Sequence, residues 1–470
     1  MEIPYRGTGK VYYSEKEYQC DLYYSENEGG IVLVVNVLHE KAFGKYLELP
    51  LEIPFLCGQL ENGFKFTLIG IIRKGMKDYP SYGHTDYTYY AENLFCGVGG
   101  NKNSEQRFCR IDFVLSNIVE WGEESVYSLG ENSELVYKNE SIRKTILECE
   151  DYCVYYSVSG SLLPVIKKEL LQEDIHLAQS GIISIEYNRE VEYRVFNDVF
   201  CKLKGLIEIA TLRKVAIEKI TAFSNDVIYT IGNTDIKQPI DIIGINIKKK
   251  KDTKKDSLQF LKWIKLSELI SNGSVQLYFY KQEELSPIIE LYIEPMYLQG
   301  SSTTRVFLNI VQALETYHSR FITNDIDTFK DRIETITKDL SESSKNDITN
   351  FLMANSKKFI TLESRLADLL MAENKMRFDT GKICYYDFPS VIAHTRNYYI
   401  HYDERIKSNY RVLSEEELRI YNRSLYQILE YYILIELGFS VSPDKIREKS
   451  INRWGNITEE LTILDISRNS

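Results

Sequence analysis

The chain is short of the groups that most metal and redox centres need. Six histidines and eight cysteines are spread over 470 residues, and no two cysteines form a Cys-x-x-Cys pair. Cys149 and Cys153 are the closest, but no second Cys/His pair at zinc spacing accompanies them, so reduced thiols of a cytosolic protein are expected rather than a structural zinc. Positive charge is also short: 57 Lys and Arg against 68 Asp and Glu leave a net charge of −11. That balance excludes a bulk nucleic-acid binder, and any RNA contact must come from a local patch. Long hydrophobic runs are missing as well. The stretch 31–38, with Asn36 inside it, is far too short to span a bilayer, and residues 1–6 lack the cationic and apolar order of a secretory leader. A cytoplasmic location with no membrane partner is the expectation.

What is present describes a globular protein, with 44% hydrophobic and 27% charged residues. The length exceeds what one core serves and predicts two to three domains. Short β-branched or aromatic runs at 11–13, 20–24, 31–38, 64–72, 87–90, 110–115 and 153–157 are separated by turn-like pieces such as Glu28-Gly29-Gly30 and Glu61-Asn62-Gly63. They predict an antiparallel sandwich or barrel. Gly97-Val98-Gly99-Gly100 lacks a surrounding βαβ pattern and reads as a turn. Beyond it, 182–187 reads as strand, 195–213 as helix, and 214–220, 227–231 and 240–247 as strands. The fold class is thus α+β: a β-rich domain with some helix over 1–298, with a possible internal break near 160–180, followed by an all-α bundle over 301–470.

The boundary is placed where the hydrophobic period changes from two to 3.6. Val306, Phe307, Ile310, Val311, Leu314 and Phe321 form an apolar stripe that residues 302–304 can cap. Phe329 to Leu340, the region of Phe351, and Leu362 to Leu370 mark further helices. Ser414-Glu415-Glu416-Glu417 has the form of a capping box opening a long helix that stops at Gly438.

The chemistry is expected in Arg396-Asn397-Tyr398-Tyr399-Ile400-His401. A permanent cation, a polar amide and a side chain that exchanges protons near neutral pH are the parts needed to break a phosphodiester without a metal. Pro389 suits a first turn, and a helix over 390–407 would turn Val391, Thr395, Tyr398 and Tyr402 to the core, with His394, Asn397 and His401 on a second, polar face. Arg396 then lies roughly 140° from His401 at about 100° per residue. One helix makes an imperfect site, and two copies meeting across a symmetry axis make a better one. An Arg-to-His spacing of this kind also arises by chance, so context has to decide. Tyr385, Tyr386, Tyr399 and Tyr402 flank the motif and are either core residues or rings on which unpaired bases stack.

Two further features carry alternatives. Glu315-x-x-His318 has the spacing of bundle metal ligands, but a di-metal site needs a second such pair and two more glutamates, and Glu173-x-x-His176 lies in the other domain. Glu315 and His318 are therefore read as supporting polar groups or plain helix-surface residues, and neither metal nor cofactor is expected. Residues 248–255 hold Lys248, Lys249, Lys250, Lys251, Lys254 and Lys255, which form either a solvated hairpin tip or a patch steering phosphate.

At Arg396-Asn397-x-x-x-His401 the chain resembles the HEPN ribonucleases, whose mark is R-x4-6-H, often with a polar residue after the arginine, on a helix of a small bundle. More narrowly it is similar to the ApeA-type anti-phage proteins, in which a β-rich domain precedes the HEPN domain. The stretch Phe307-Leu308-Asn309-Ile310-Val311-Gln312-Ala313-Leu314-Glu315-Thr316-Tyr317-His318 resembles that domain's first helix. The resemblance implies a metal-independent endoribonuclease, usually dimeric, acting in abortive infection, with tRNA as a family-level substrate and a phage-derived trigger for the β-rich domain. The rival from another class is a non-catalytic dimerisation or nucleotide-sensing bundle with a β-rich ligand reader. EDTA-sensitive RNA cleavage would bring forward a metal-dependent nuclease instead.

Overall fold

The computed structural model describes residues 6–25, 30–39, 49–99, 104–132, 134–138, 142–161, 177–232, 234–244, 263–298, 300–322, 325–354, 361–371 and 378–469. The lysine run 248–255 and the Glu173/His176 pair lie outside them. The chain forms two compact units, residues 1–203 with 215–258 and residues 204–214 with 259–470.

In the first unit six strands close on themselves. They are β1 (Gly7–Tyr13), β2 (Lys16–Ser25), β3 (Gly30–Leu38), β4 (Glu52–Leu60), β5 (Lys65–Tyr79) and β6 (His84–Cys96). They run antiparallel in the order β6-β3-β2-β1-β4-β5, and β5 pairs back with β6 from Phe66 opposite Cys96 to Tyr79 opposite His84. Closure leaves these strands no free edge. Alternation places Tyr18, Cys20 and Leu22 of β2 and Ile31, Leu33, Val35 and Val37 of β3 in one core with Phe66, Leu68, Tyr87 and Tyr89. The β1–β2 hairpin turns on Ser14 and Glu15, both at positive φ (47° and 64°), as a two-residue turn of matching twist requires. Strand β4 was not foreseen from the sequence, because Pro54 interrupts it. The pairing accommodates the missing donor by skipping from Ile53 opposite Ile71 to Phe55 opposite Ile69.

The last residues of β6 also pair with a second half of the sheet. In chain order its strands are β7 (Arg107–Leu115), β10 (Ile142–Glu148), β11 (Tyr152–Gly160), β12 (Gln179–Glu192), β13 (Ile217–Phe223) and β16 (Ile240–Gly244). They join β6 in the order β16-β13-β7-β12-β11-β10. Two small hairpins, β8 (Tyr127–Leu129) with β9 (Leu135–Tyr137) and β14 (Ile228–Ile231) with β15 (Thr234–Lys237), stand apart from this sheet. A short helix α1 (Ile118–Gly122) precedes α2 (Tyr193–Thr211), which meets the sheet through Phe200 stacked on Phe113 at 3.9 Å. The expected barrel is present, and β11 and β12 pair from Tyr152 opposite Tyr187 to Gly160 opposite Gln179.

The second unit is helical. Its elements are α3 (Leu266–Ser271), α4 (Ser274–Tyr280), α5 (Gln282–Tyr297), α6 (Thr303–Phe321), α7 (Asp325–Ile336), α8 (Glu342–Ala354), α9 (Leu362–Met371), α10 (Phe388–His401), α11 (Glu404–Asn409), α12 (Glu415–Glu436), α13 (Pro443–Trp454) and α14 (Ile457–Asn469). Ser302 caps α6 by accepting from Arg305 N at 3.2 Å. The capping box of α12 closes as its sequence predicts: Ser414 N donates to Glu417 Oε2 at 2.9 Å and Glu417 N to Ser414 Oγ at 3.3 Å. Gly438 ends that helix at φ 82°, where a side chain would be strained.

Helix α12 is buried almost all round and packs against α6, α13 and α14. Among its buried polar groups, Glu430 accepts from Tyr292 OH at 2.7 Å and Arg453 Nη2 at 2.6 Å, and Gln427 donates to Ser450 Oγ at 3.0 Å. None of the helices among the described residues is long and apolar enough to cross a membrane.

Candidate active site

The motif helix α10 buries Phe388, Val391, Ile392 and Thr395 and packs against α6 and α9. Thr395 does more than fill space. Its hydroxyl donates to Val391 O at 2.7 Å and accepts from Leu413 N at 3.1 Å, while Tyr399 OH donates to Leu413 O at 3.1 Å. The segment after α11 is thereby tied back onto the motif helix by both backbone groups of one leucine. His394 adds a third tie, stacked on Tyr410 at 3.9 Å with rings 14° apart and 3.4 Å from Ser390 Oγ. The polar face expected to join His394 to Asn397 and His401 is therefore divided, because Tyr410 covers its first member.

The helix expected to run through 407 ends at His401. Tyr402 adopts φ 50°, ψ 36°, and Asp403 starts α11 by accepting from Arg405 N at 3.0 Å. With the backbone turned left-handed, Tyr402 leaves the buried stripe it was expected to continue and is 65% exposed. His401 is exposed in the last turn of α10. Arg405 grips Asp403 through Nε and Nη2 at 3.0 and 2.8 Å. That grip, with a further contribution from the charge of His401, holds the Asp403 carboxyl below its ordinary range.

Arg396 lies one third exposed. It donates from Nη1 to Asn397 Oδ1 at 3.1 Å, and its Nη2 stands 3.8 Å from Glu315 Oε2 on α6. Asn397 thus props the arginine, and Glu315 faces it as an ion-pair partner. Among the described residues no hydrogen bond or ion pair joins Arg396 to His401 within the chain. His318, one turn along α6 from Glu315, is buried and pairs through Nε2 with Asp368 Oδ2 at 3.1 Å. It ties α6 to α9. The described residues hold no group of three or more His, Cys, Asp or Glu placed to bind a metal ion.

Sequence reasoning passed over Asp403, Arg405 and Leu413. Asp-Glu-Arg immediately after a helix end is a legible capping signal, whereas the role of Leu413 depends only on its backbone and leaves no mark in the sequence.

These groups fall within residues 308–443, which match the family model described as Apea-like HEPN. Residues 4–272 match the family model described as ApeA N-terminal domain 1. Neither a curated protein nor a solved structure matches the chain. Since the N-terminal match alone spans more than half of the 470 residues and the HEPN match follows it, the chain belongs to the ApeA family, with an ApeA N-terminal domain followed by an Apea-like HEPN domain.

Proposed function

We propose that the protein is a HEPN endoribonuclease acting in anti-phage abortive infection, with tRNA as its substrate class and a phage-derived trigger recognised by the β-rich domain. The 2′-hydroxyl of the RNA attacks the adjacent phosphorus, forming the 2′-O–P bond as the P–O5′ bond breaks. His401 takes the 2′-hydroxyl proton or supplies one to the departing 5′-oxygen. Arg396 binds the non-bridging oxygens and stabilises the added negative charge of the transition state. Asn397 holds the guanidinium in place. Because one imidazole cannot serve as both acid and base in a single step, two chains meet so that each histidine works beside the other pair, and the active form is a homodimer.

The observation that carries this reading is the placement of His401, exposed at the end of α10, on the same short helix as a partly exposed Arg396 that its neighbour props. Neither group is sealed in the bundle. Family membership in the Apea-like HEPN group supports it.

Incubation of purified protein with total RNA in the presence of EDTA, followed by sequencing of RNA ends, tests it. Ends bearing a 2′,3′-cyclic phosphate and a 5′-hydroxyl, absent with His401→Ala, are the expected result. Intact RNA with retained ligand binding would favour the non-catalytic sensor, and cleavage lost to EDTA would favour a metal-dependent nuclease.

A further inference from the structure

We propose that Tyr402 is a base-stacking platform that restricts the site to unpaired ribonucleotides, an inference that deepens the nuclease reading and rests on it. A helix that ends in a left-handed residue ordinarily uses Gly or Asn, because a larger side chain crowds the following carbonyl. Helix α10 ends instead in a tyrosine at φ 50°, ψ 36°, whose N–H donates to Tyr398 O at 2.5 Å. Among the described residues it is the one aromatic side chain at positive φ. Burial would justify a ring there, but Tyr402 is 65% exposed. Residues held in costly backbone conformations cluster at functional sites, and Tyr402 adopts one without burial.

The surroundings define what the ring can do. Tyr398 is engaged through its hydroxyl with Glu404 Oε1 at 3.2 Å and by Lys407 above its ring at 5.6 Å, and Tyr399 is half-buried with its hydroxyl on Leu413 O. Both meet Tyr402 at steep angles, 60° and 83°, with centroids 5.8 and 6.2 Å away. They fix its direction by edge contacts while it stays open to solvent beside His401. An exposed π face on the residue that follows a proton-transfer group suits a nucleobase adjoining the scissile phosphate. A base within a duplex is already stacked and has no free face to offer. An unpaired one does, whatever its identity, which predicts selection by strandedness rather than by base.

The test uses the full chain and a short 2′-fluoro RNA, which lacks the attacking hydroxyl, carrying 2-aminopurine at its centre. Wild type should quench the fluorescence of the single strand and not of the annealed duplex. Tyr402→Ala and Tyr402→Gly should lose the quenching and weaken binding about 5- to 150-fold, the effect of one stacked base. Tyr402→Phe should restore both, and Tyr280→Ala, an exposed tyrosine elsewhere on the helical unit, should change neither. Glycine suits the left-handed backbone, so Tyr402→Gly should keep or raise the melting temperature while losing RNA; a residue with only a structural role would not separate the two. Quenching by wild type without cleavage of natural RNA would uphold the platform and remove the nuclease. Cleavage and quenching undiminished in Tyr402→Ala would remove the platform and leave the nuclease standing.

Discussion

Arg396 of α10 and Glu315 of α6 face each other at 3.8 Å, each about one third exposed. The separation is that of an ion pair and too long for a hydrogen bond, so the guanidinium keeps donors for a second anion. Substituting Glu315→Gln should therefore cost the fold little, within about 1 kcal/mol. It should also tighten RNA binding by up to about fivefold, because a competing negative charge is gone, an effect that fades in high salt. Weaker binding in direct titration would instead make Glu315 the group that aims the arginine.

His401→Ala and Arg396→Ala should each abolish RNA cleavage while leaving the melting temperature within a few degrees of wild type, since neither side chain is in the core. Arg396→Lys should recover little, because a point charge cannot reproduce the two-pronged hold on phosphate oxygens. Cleavage of a fluorescent RNA at the wild-type rate by either alanine variant contradicts the assignment.

Thr395 is fully buried and uses one hydroxyl for two hydrogen bonds. Thr395→Val keeps the shape and strands the Leu413 N–H. A loss of about 1–3 kcal/mol is expected from urea unfolding, the cost of an unsatisfied buried donor. Activity should fall further than stability, because the same bond holds the segment that fixes the end of α10. Equal, small losses in both would reduce Thr395 to a packing residue.

Burial raises the hydroxyl pKa of Tyr156, Tyr193, Tyr278 and Tyr426 above the ordinary value, and it raises Tyr317 with help from Glu436. The unfolded chain releases these protons first, so their stabilising effect is complete below about pH 10 and lost as pH climbs toward the folded-state values. The urea midpoint should hold up to about pH 10 and drop above it, with tyrosinate absorbance appearing in step with unfolding. The Cys20 thiol, pushed up to about 12 chiefly by burial, should resist thiol reagents in the folded protein.

If the site is completed by a second copy, specific activity per chain should fall on dilution in parallel with dissociation measured by light scattering. Constant activity through that transition would place the whole reaction within one chain.

The amino-acid sequence by itself determined whatever depends on neighbours a few residues apart. Alternation in β2 and β3 set their core faces, Ser302 and the Ser414/Glu417 box set helix starts, and Gly438 set a helix end. The placement of Arg396 and His401 on one helix was legible for the same reason. Only the tertiary structure decided that this helix stops at His401, that Tyr402 turns outward, that Tyr410 takes His394, and that Glu315 meets Arg396. The hydrophobic period continues through Tyr402 without a break. What ends the helix is a return of the chain, fastened at Leu413 to Thr395 and Tyr399, and such ties form only when segments distant in sequence pack together.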